Sequence, residues 1–138
     1  MSTSNQSSTR LFARVLGPYL LIAMAVYAAR MPDMRALLAA LNSNAMLPWV
    51  VGAFTLLSGL VVVALHQRWS GAAAIIVSLL GWLTTLKGFA LMAFPHSYVS
   101  FANSMADAKA LFVTDVVVVG LVGLYLTYVG WAPASRAD

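Results

Sequence analysis

The sequence predicts an all-α integral membrane protein: a bundle of four transmembrane helices with both termini on the same side of the membrane. Of its 138 residues, 62% are hydrophobic and only 9% are charged, whereas soluble domains carry about 25% charged residues. The apolar residues also fall into four long runs separated by polar connections. A helix needs about 20 apolar residues to cross a bilayer, and each run approaches that length.

The four runs define a single transmembrane domain over residues 10–134. It lies between a polar tail at residues 1–9, predicted to be disordered, and a short polar tail at residues 135–138. The turn at residues 66–70 is so short that the spans on either side of it must form an antiparallel hairpin. The predicted spans cover approximately residues 11–30, 45–65, 71–94 and 111–131.

The first span has an alternative interpretation. Its apolar run covers only residues 15–29, follows basic residues and ends in small ones, which also fits a cleaved signal peptide. Tyr19 and Tyr27 are unusual in the core of a signal peptide, and Arg30 is a plausible helix end. We therefore predict that this helix is retained.

Two connections are long enough to contain structure of their own. Residues 30–45 carry Leu37, Leu38 and Leu41 at helical spacing, which predicts a short amphipathic helix in the membrane interface. A lid over a cavity is the alternative interpretation. The second connection covers residues 95–109.

The basic residues suggest an orientation. Four of them lie on the side of the termini and three on the opposite side. The positive-inside rule then predicts that both termini face the cytoplasm, in a multi-pass protein of the bacterial cytoplasmic (inner) membrane. The first set is Arg10, Arg14, Arg68 and Arg136, and the second is Arg30, Arg35 and Lys109.

Small residues recur at spacings that place them on one face of a helix. Such faces let two backbones approach closely, so we predict that they mediate helix packing, within the chain or with another chain. No internal repeat is evident in the sequence, and an inverted-repeat transporter is therefore not supported. The predicted packing residues are Gly52, Gly59, Ala74, Gly81, Gly88, Gly120, Gly123 and Gly130.

Lys87 is the charged residue inside the third predicted span, and Asp115 is the charged residue inside the fourth. A lysine at mid-span costs about 2.5–3.5 kcal/mol on insertion scales. The third and fourth spans are antiparallel, so Lys87 and Asp115 approach the same side at similar depth and are predicted to form an intramembrane charge pair. Two alternatives remain: Lys87 extends to the headgroups without a partner, or it serves as a proton, ion or anion site.

No residue pattern indicates an enzyme. The chain has no cysteine and no glutamate, and it lacks catalytic triads, phosphate loops and metal-ligand spacings. His66 and His96 lie at opposite ends of the third span, too far apart to ligate one haem, and His66 is interpreted as an interfacial residue. We therefore predict no catalytic residue, no cofactor and no metal. The basic residues form no cluster with interleaved aromatics, so nucleic acid is not an expected partner.

The central part of the chain resembles a loose group of small bacterial inner-membrane proteins that have four predicted helices and no assigned activity. The resemblance covers a quarter to a half of the chain. It implies a four-helix bacterial membrane protein and transfers no functional residue. The residues that carry it are His66-x-x-Trp69, Gly81-Trp82-Leu83, Lys87-Gly88 and Pro95.

Two functions are compatible with these observations. The first is a membrane protein without enzymatic activity, acting as an accessory subunit or a self-assembling scaffold, because the small-residue faces exceed what one bundle needs. The alternative is an oligomeric transporter or channel for a small solute or ion that uses Lys87 and Asp115. The expected partners are the lipid bilayer and either further copies of the chain or a larger membrane complex.

Overall fold

The computed structural model describes residues 3–133, and this part of the chain is almost entirely helical, without a strand. Four of its helices, α1, α3, α4 and α6, are long and apolar enough to cross a membrane. The predicted all-α, four-span architecture is thus confirmed. The elements are α1 (Thr3–Ala29), a 3-10 turn (Met31–Asp33), α2 (Met34–Ser43), α3 (Met46–Leu65), α4 (Ala72–Ala93), α5 (Pro95–Asp107) and α6 (Lys109–Trp131).

Helix α1 begins earlier than the sequence predicts. Residues 1–9 were expected to be a disordered tail, but the chain is helical from Thr3, and Thr9 is buried. The helix continues through polar residues because Thr9 and Arg10 find hydrogen-bond partners in distant parts of the chain. The predicted polar tail at residues 135–138 lies outside the described residues.

The two connections are helical as well. α2 and α5 lie together at the end of the bundle opposite to the beginning of α1. An ion pair of 2.6 Å joins Arg35 to Asp107, and His96 Nδ1 lies 2.7 Å from Asn42 Oδ1. We call this the connector end, and we call the end where α1 begins and α6 ends the terminal end.

The spans are organised as two antiparallel helix pairs. α3 packs along α4 and α1 packs along α6, whereas contacts between the pairs are sparse and run mainly from α1 to α4. The pairs meet around a small buried core of Ala13, Val77 and Leu126. The protein is therefore two tight helix pairs with a thin interface between them.

Glycine packing explains the closeness of α3 and α4. Gly59 lies against the backbone of Thr85, and Gly88 lies against the backbone of Leu56. A β-carbon added to Gly52 would lie 2.6 Å from the side chain of Met92. Real β-carbons do not approach neighbours this closely, so the pair requires glycine at these positions. Ala74, Gly81 and Gly88 are buried, as their spacing predicted.

The small-residue face of α6 is used mostly within the chain. A β-carbon added to Gly130 would lie 2.6 Å from the backbone nitrogen of Arg14, and one added to Gly123 would lie 3.0 Å from Leu20 Cβ. α1 therefore already covers Gly123 and Gly130, so they do not form a free surface for another chain. Gly120 differs, because nothing lies within 4 Å of the position its β-carbon would take.

The chain contains an internal repeat that the sequence did not reveal. α1 ends at Ala29 and α4 ends at Ala93, an offset of 64 positions. The 3-10 turn and α2 together cover residues 31–43, and adding 64 to these numbers gives the bounds of α5. Adding 64 to the first residue number of α3 gives a position one residue after the start of α6. The first half, α1 to α3, thus has the same element order as the second half, α4 to α6.

The contacts between helices are more alike in the two halves than the residue identities are. Gly59 contacts Thr85, and its counterpart Gly123 contacts Leu21, which is the counterpart of Thr85. α1 and α4 cross the bundle in the same direction, and α1 packs on α6 as α4 packs on α3, which is the pattern of two halves arranged about a two-fold axis parallel to the helices. The identical pairs are Leu16/Leu80, Gly17/Gly81, Ala29/Ala93, Leu47/Leu111, Leu57/Leu121, Gly59/Gly123 and Leu60/Leu124.

Candidate functional site

Lys87 and Asp115 occupy matching depths near the connector end. Lys87 lies six residues before the end of α4, and Asp115 lies six residues after the start of α6. At 1.5 Å per residue, each Cα is about 9 Å from the end of its helix. Both side chains are exposed. The prediction that the two residues approach the same side at similar depth therefore agrees with the helix positions.

The predicted direct ion pair between Lys87 and Asp115 is not formed. Among the side chains of residues 7–133, ion pairs within 4.0 Å join only Arg30 to Asp33 and Arg35 to Asp107. The reason is the pairing of the helices: α4 packs on α3 and α6 packs on α1, so α4 and α6 touch little.

Two tyrosines lie at the same end of the bundle as both charges. Tyr27 is two residues before the end of α1, and Tyr98 is in α5, so both are at the connector end. The ring of Tyr27 packs against Phe112 at a centroid distance of 4.7 Å. Tyr27 and Tyr98 are half-buried. Four elements thus contribute one polar side chain each, and we call Tyr27, Lys87, Tyr98 and Asp115 the connector-end cluster.

The other half of the repeat has no counterpart of this cluster. Each of its positions has a counterpart 64 positions away, in a similar place in the other half, and every counterpart is apolar. The charges are therefore an asymmetric addition to a nearly symmetric scaffold. The counterparts of Tyr27, Lys87, Tyr98 and Asp115 are respectively Leu91, Ala23, Met34 and Val51.

A second polar group lies at the terminal end and is fully buried. His66 is 1% exposed, Thr9 Oγ1 lies 2.9 Å from its Nε2, and Ser78 Oγ lies 3.2 Å from its Nδ1. The ring of Phe12 meets the imidazole edge-on at 5.4 Å. We call Thr9, His66 and Ser78 the histidine cluster. It differs from the predicted interfacial histidine because α1 extends over the turn and excludes water.

The hydrogen bonds of the histidine cluster fit a neutral imidazole. Ser78 Oγ donates to the Arg68 carbonyl at 2.7 Å, its shortest contact, so it accepts from His66 Nδ1. His66 Nε2 is then free to accept the hydroxyl proton of Thr9. Burial lowers the pKa of His66, and the charge of Arg68 lowers it further, against an opposing backbone hydrogen bond. The imidazole is therefore held uncharged at neutral pH.

Two arginines close the terminal end of the α1–α6 pair. Arg10 donates to the carbonyl of Ala132, and Arg14 Nε donates to the carbonyl of Gly130 at 2.6 Å. The last carbonyls of a helix lack partners within it and carry its partial negative charge, so cations there are stabilising. The Arg14 guanidinium also lies 5.7 Å from the ring centroid of Trp131.

Sequence reasoning missed Gly17 and the histidine cluster. Gly17 on α1 lies against the backbone of Thr127 and is as closely packed as the glycines that were predicted. Its signal was the match with Gly81 at the repeat offset. Nothing local indicated that Thr9 would cover His66. Within the described residues, no group of three or more His, Cys, Asp or Glu side chains could hold a metal ion.

Comparison of the chain with protein-family models, with curated proteins and with solved structures finds no match. The resemblance of residues 66–95 to small bacterial inner-membrane proteins therefore stays a prediction. Any function has to be argued from the arrangement of the residues themselves.

Proposed function

We propose that the protein is a small membrane transporter or channel, and that its solute or ion contacts Lys87 and Asp115. One observation carries the proposal. Two opposite charges lie exposed at equal depth inside the apolar helices, unpaired with each other, at positions where the repeat has Ala23 and Val51. Intramembrane charges that no structural need explains are most often part of a pathway for a solute or ion.

The energetics support this assignment. A charge within a transmembrane helix costs about 2.5–3.5 kcal/mol near mid-span. A direct ion pair would offset part of that cost, but α4 and α6 lie too loosely together to form one. Contact with water or with a polar solute lowers the cost instead. The half-buried hydroxyls of Tyr27 and Tyr98 add polar groups where such a solute would sit.

Helix geometry also argues against simple extension of Lys87 to the headgroups. The Cα–Cβ bond of a helical residue tilts toward the N-terminus of its helix. Lys87 lies near the C-terminal, connector end of α4, so its side chain starts out toward the membrane centre. Asp115 lies near the N-terminal end of α6 and starts out toward the connector end. The two side chains therefore begin in opposite directions along the bundle.

The accessory-subunit or scaffold function stays an alternative proposal. The sequence supports it with an excess of small-residue faces, but most of those faces pack within the chain. Gly120 is the member that faces open space, and it lies on α6, the helix that also carries Asp115. In this alternative another polypeptide, or a second copy, covers that side of α6. Neither alternative assigns an enzymatic role, a cofactor or a nucleic-acid partner.

For location we propose the bacterial cytoplasmic membrane, with the terminal end in the cytoplasm. The support is the small excess of basic residues on that side and the resemblance of residues 66–95. The connector end and its charges would then face the periplasm, where solutes from outside arrive.

Thiol accessibility in intact native membranes tests the proposal. The chain has no cysteine, so single substitutions carry no background. Asp115→Cys is compared with Val51→Cys, its repeat counterpart, which is also exposed on the protein surface. We expect a charged, water-soluble thiol reagent to label Asp115→Cys and not Val51→Cys, because only the first side chain reaches water.

Two results would count against a water-filled site. If both variants were labelled at the same rate, depth alone would explain the labelling. If neither reacted in membranes or after purification, the charges would have no contact with water. Labelling of Asp115→Cys that begins only after purification in detergent would favour the accessory-subunit alternative, because a partner would have covered the site.

A further inference from the structure

A basic cavity opens at the terminal end, far from the connector-end cluster. Its volume is about 530 Å³, and it lies between α1, the start of α4 and α6. Arg10 and Arg68 provide positive charge, and none of the described residues that line it is acidic. The described residues of the lining are Thr9, Arg10, Arg68, Ser70, Gly71, Ala72, Ala73, Ala74, Tyr125 and Val129.

The cavity has an excess of hydrogen-bond donors. The Arg68 guanidinium makes no ion pair with any carboxylate in the described part of the chain. The hydroxyls of Ser70 and Tyr125 add polar groups to the wall, whereas the Thr9 hydroxyl is bonded to His66. The first backbone N–H groups of α4 have no acceptor inside their helix, and Gly71 has no side chain to cap them.

The charges of residues 7–133 favour an anion at this end. The acidic residues that the structure describes, Asp33, Asp107 and Asp115, all lie toward the connector end. The terminal end carries Arg10 and Arg68 in the cavity, with Arg14 nearby on α1. Among the described residues, an anion in the cavity would therefore meet cations at short range and carboxylates only at long range.

The position of the cavity points to a lipid. It lies at the ends of transmembrane helices, which is the depth of the phosphate groups of a bilayer. Trp69 and Tyr128 are exposed near it, at 53% and 72%, as aromatic residues of a membrane interface are. Ala73 and Val129 continue the cavity wall into the apolar surface, where acyl chains lie.

We propose that this cavity binds the headgroup of an anionic phospholipid, with Arg68 and Arg10 contacting the phosphate. Basic pockets between transmembrane helices are the known type of site for such headgroups. The cavity is lined from both helix pairs, α1 and α6 on one side and the start of α4 on the other. The bound lipid thus bridges the thin interface between the pairs.

Native mass spectrometry of the purified full chain tests the site. The protein is purified in detergent and divided into three samples. The first receives phosphatidylglycerol, the second phosphatidylcholine and the third inorganic phosphate. We expect one retained phosphatidylglycerol, little phosphatidylcholine and no effect of phosphate. Arg68→Gln should raise the dissociation constant of phosphatidylglycerol about tenfold, because the loss of one hydrogen bond to a charged group typically weakens binding by about that factor. Arg68→Lys should keep most of the binding.

Lys109→Gln is the matched control, because it removes one positive charge at the connector end. Its binding of phosphatidylglycerol should equal that of the unmodified protein. Equal retention of the two lipids would overturn the proposal, as would unchanged binding by Arg68→Gln. Stable retention of inorganic phosphate that displaces the lipid would assign the cavity to free phosphate instead. If Arg68→Gln fails to fold, equal retention of the two lipids by the unmodified protein would still overturn the proposal.

Discussion

Thr9 Oγ1 and His66 Nε2 lie 2.9 Å apart in the protein interior, although the residues are 57 positions apart in the chain. Thr9 belongs to α1, and His66 follows α3 at the start of the turn to α4. Their hydrogen bond therefore joins the two helix pairs at the terminal end. Contacts between the pairs are otherwise sparse, so this bond has more influence on their relative position than a bond within either pair.

Acidification should destabilise the protein through His66. Burial lowers the pKa of His66, so the native imidazole stays neutral while the unfolded one binds a proton below about pH 6.5. The unfolded state then holds more protons, and its free energy falls relative to the native state. Stability is thus complete above about pH 6.5 and decreases as the pH falls below it. We expect a lower melting temperature at pH 5 than at pH 7.5.

The control for this prediction is the exposed second histidine. His96→Gln should keep the same dependence of melting temperature on pH, whereas His66→Gln should reduce it. If His66→Gln melts with an unchanged pH dependence, the effect arises from other groups.

Removal of the Thr9 hydroxyl should loosen the terminal end. Thr9→Val keeps the shape of the side chain but leaves His66 Nε2 buried without its donor, which costs about 1–3 kcal/mol. Unfolding in increasing fractions of a denaturing detergent measures the loss. Thr114→Val is the control, because its hydroxyl is exposed and bonds only to a carbonyl of its own helix. Equal effects of the two variants would contradict a special role for the bond to His66.

Gly59 and Gly120 should respond oppositely to the same substitution. In Gly59→Ala the new β-carbon meets the backbone of Thr85, which cannot move aside, so overpacking should cost about 1–3 kcal/mol. In Gly120→Ala the new methyl enters open space, and stability should stay the same or rise by up to about 1 kcal/mol. The free energy of unfolding of the isolated chain distinguishes the two. A similar loss in both variants would show that α6 is covered at Gly120 as well.

Lys87 and Asp115 should act independently on folding. Because no ion pair joins them, the effects of Lys87→Met and Asp115→Leu on the free energy of unfolding should add to within about 0.5 kcal/mol in the double variant. A double-mutant cycle provides the measurement. Recovery of stability in the double variant, relative to either single one, would reveal a direct pair and remove the main support for a solute site.

Much of the architecture could be predicted because it depends on local patterns. Apolar runs longer than 18 residues have few alternatives to a membrane span, and the turn before α4 can only make a hairpin. The leucine spacing in residues 30–45 was enough to predict α2, of which Leu38 is buried. Glycines seven positions apart on α3 and α4 predicted close packing, although not which helix each would meet.

The repeat, the histidine cluster and the pairing of the helices depend on contacts between residues far apart in the sequence, which no local sequence pattern predicts. The repeat keeps the order and pairing of the helices while changing most identities, so Gly59 and Gly123 match but Thr85 corresponds to Leu21. The polarity of the turn that contains His66 predicts an interfacial side chain. Only the fold places Thr9 over it. Likewise, equal depth suggested that Lys87 and Asp115 would pair, but depth says nothing about which helices are neighbours.

The repeat also determines how the chain can be divided. Each half contributes two long helices and ends on the side of the bundle where it began. These helices pack on those of the other half, α1 on α6 and α3 on α4, so a division between the halves would separate both tight pairs. Two copies of a symmetric half would place identical residues on both sides of the axis. In a single chain the two halves can carry different residues at equivalent positions, as Lys87 in one half and Ala23 in the other do.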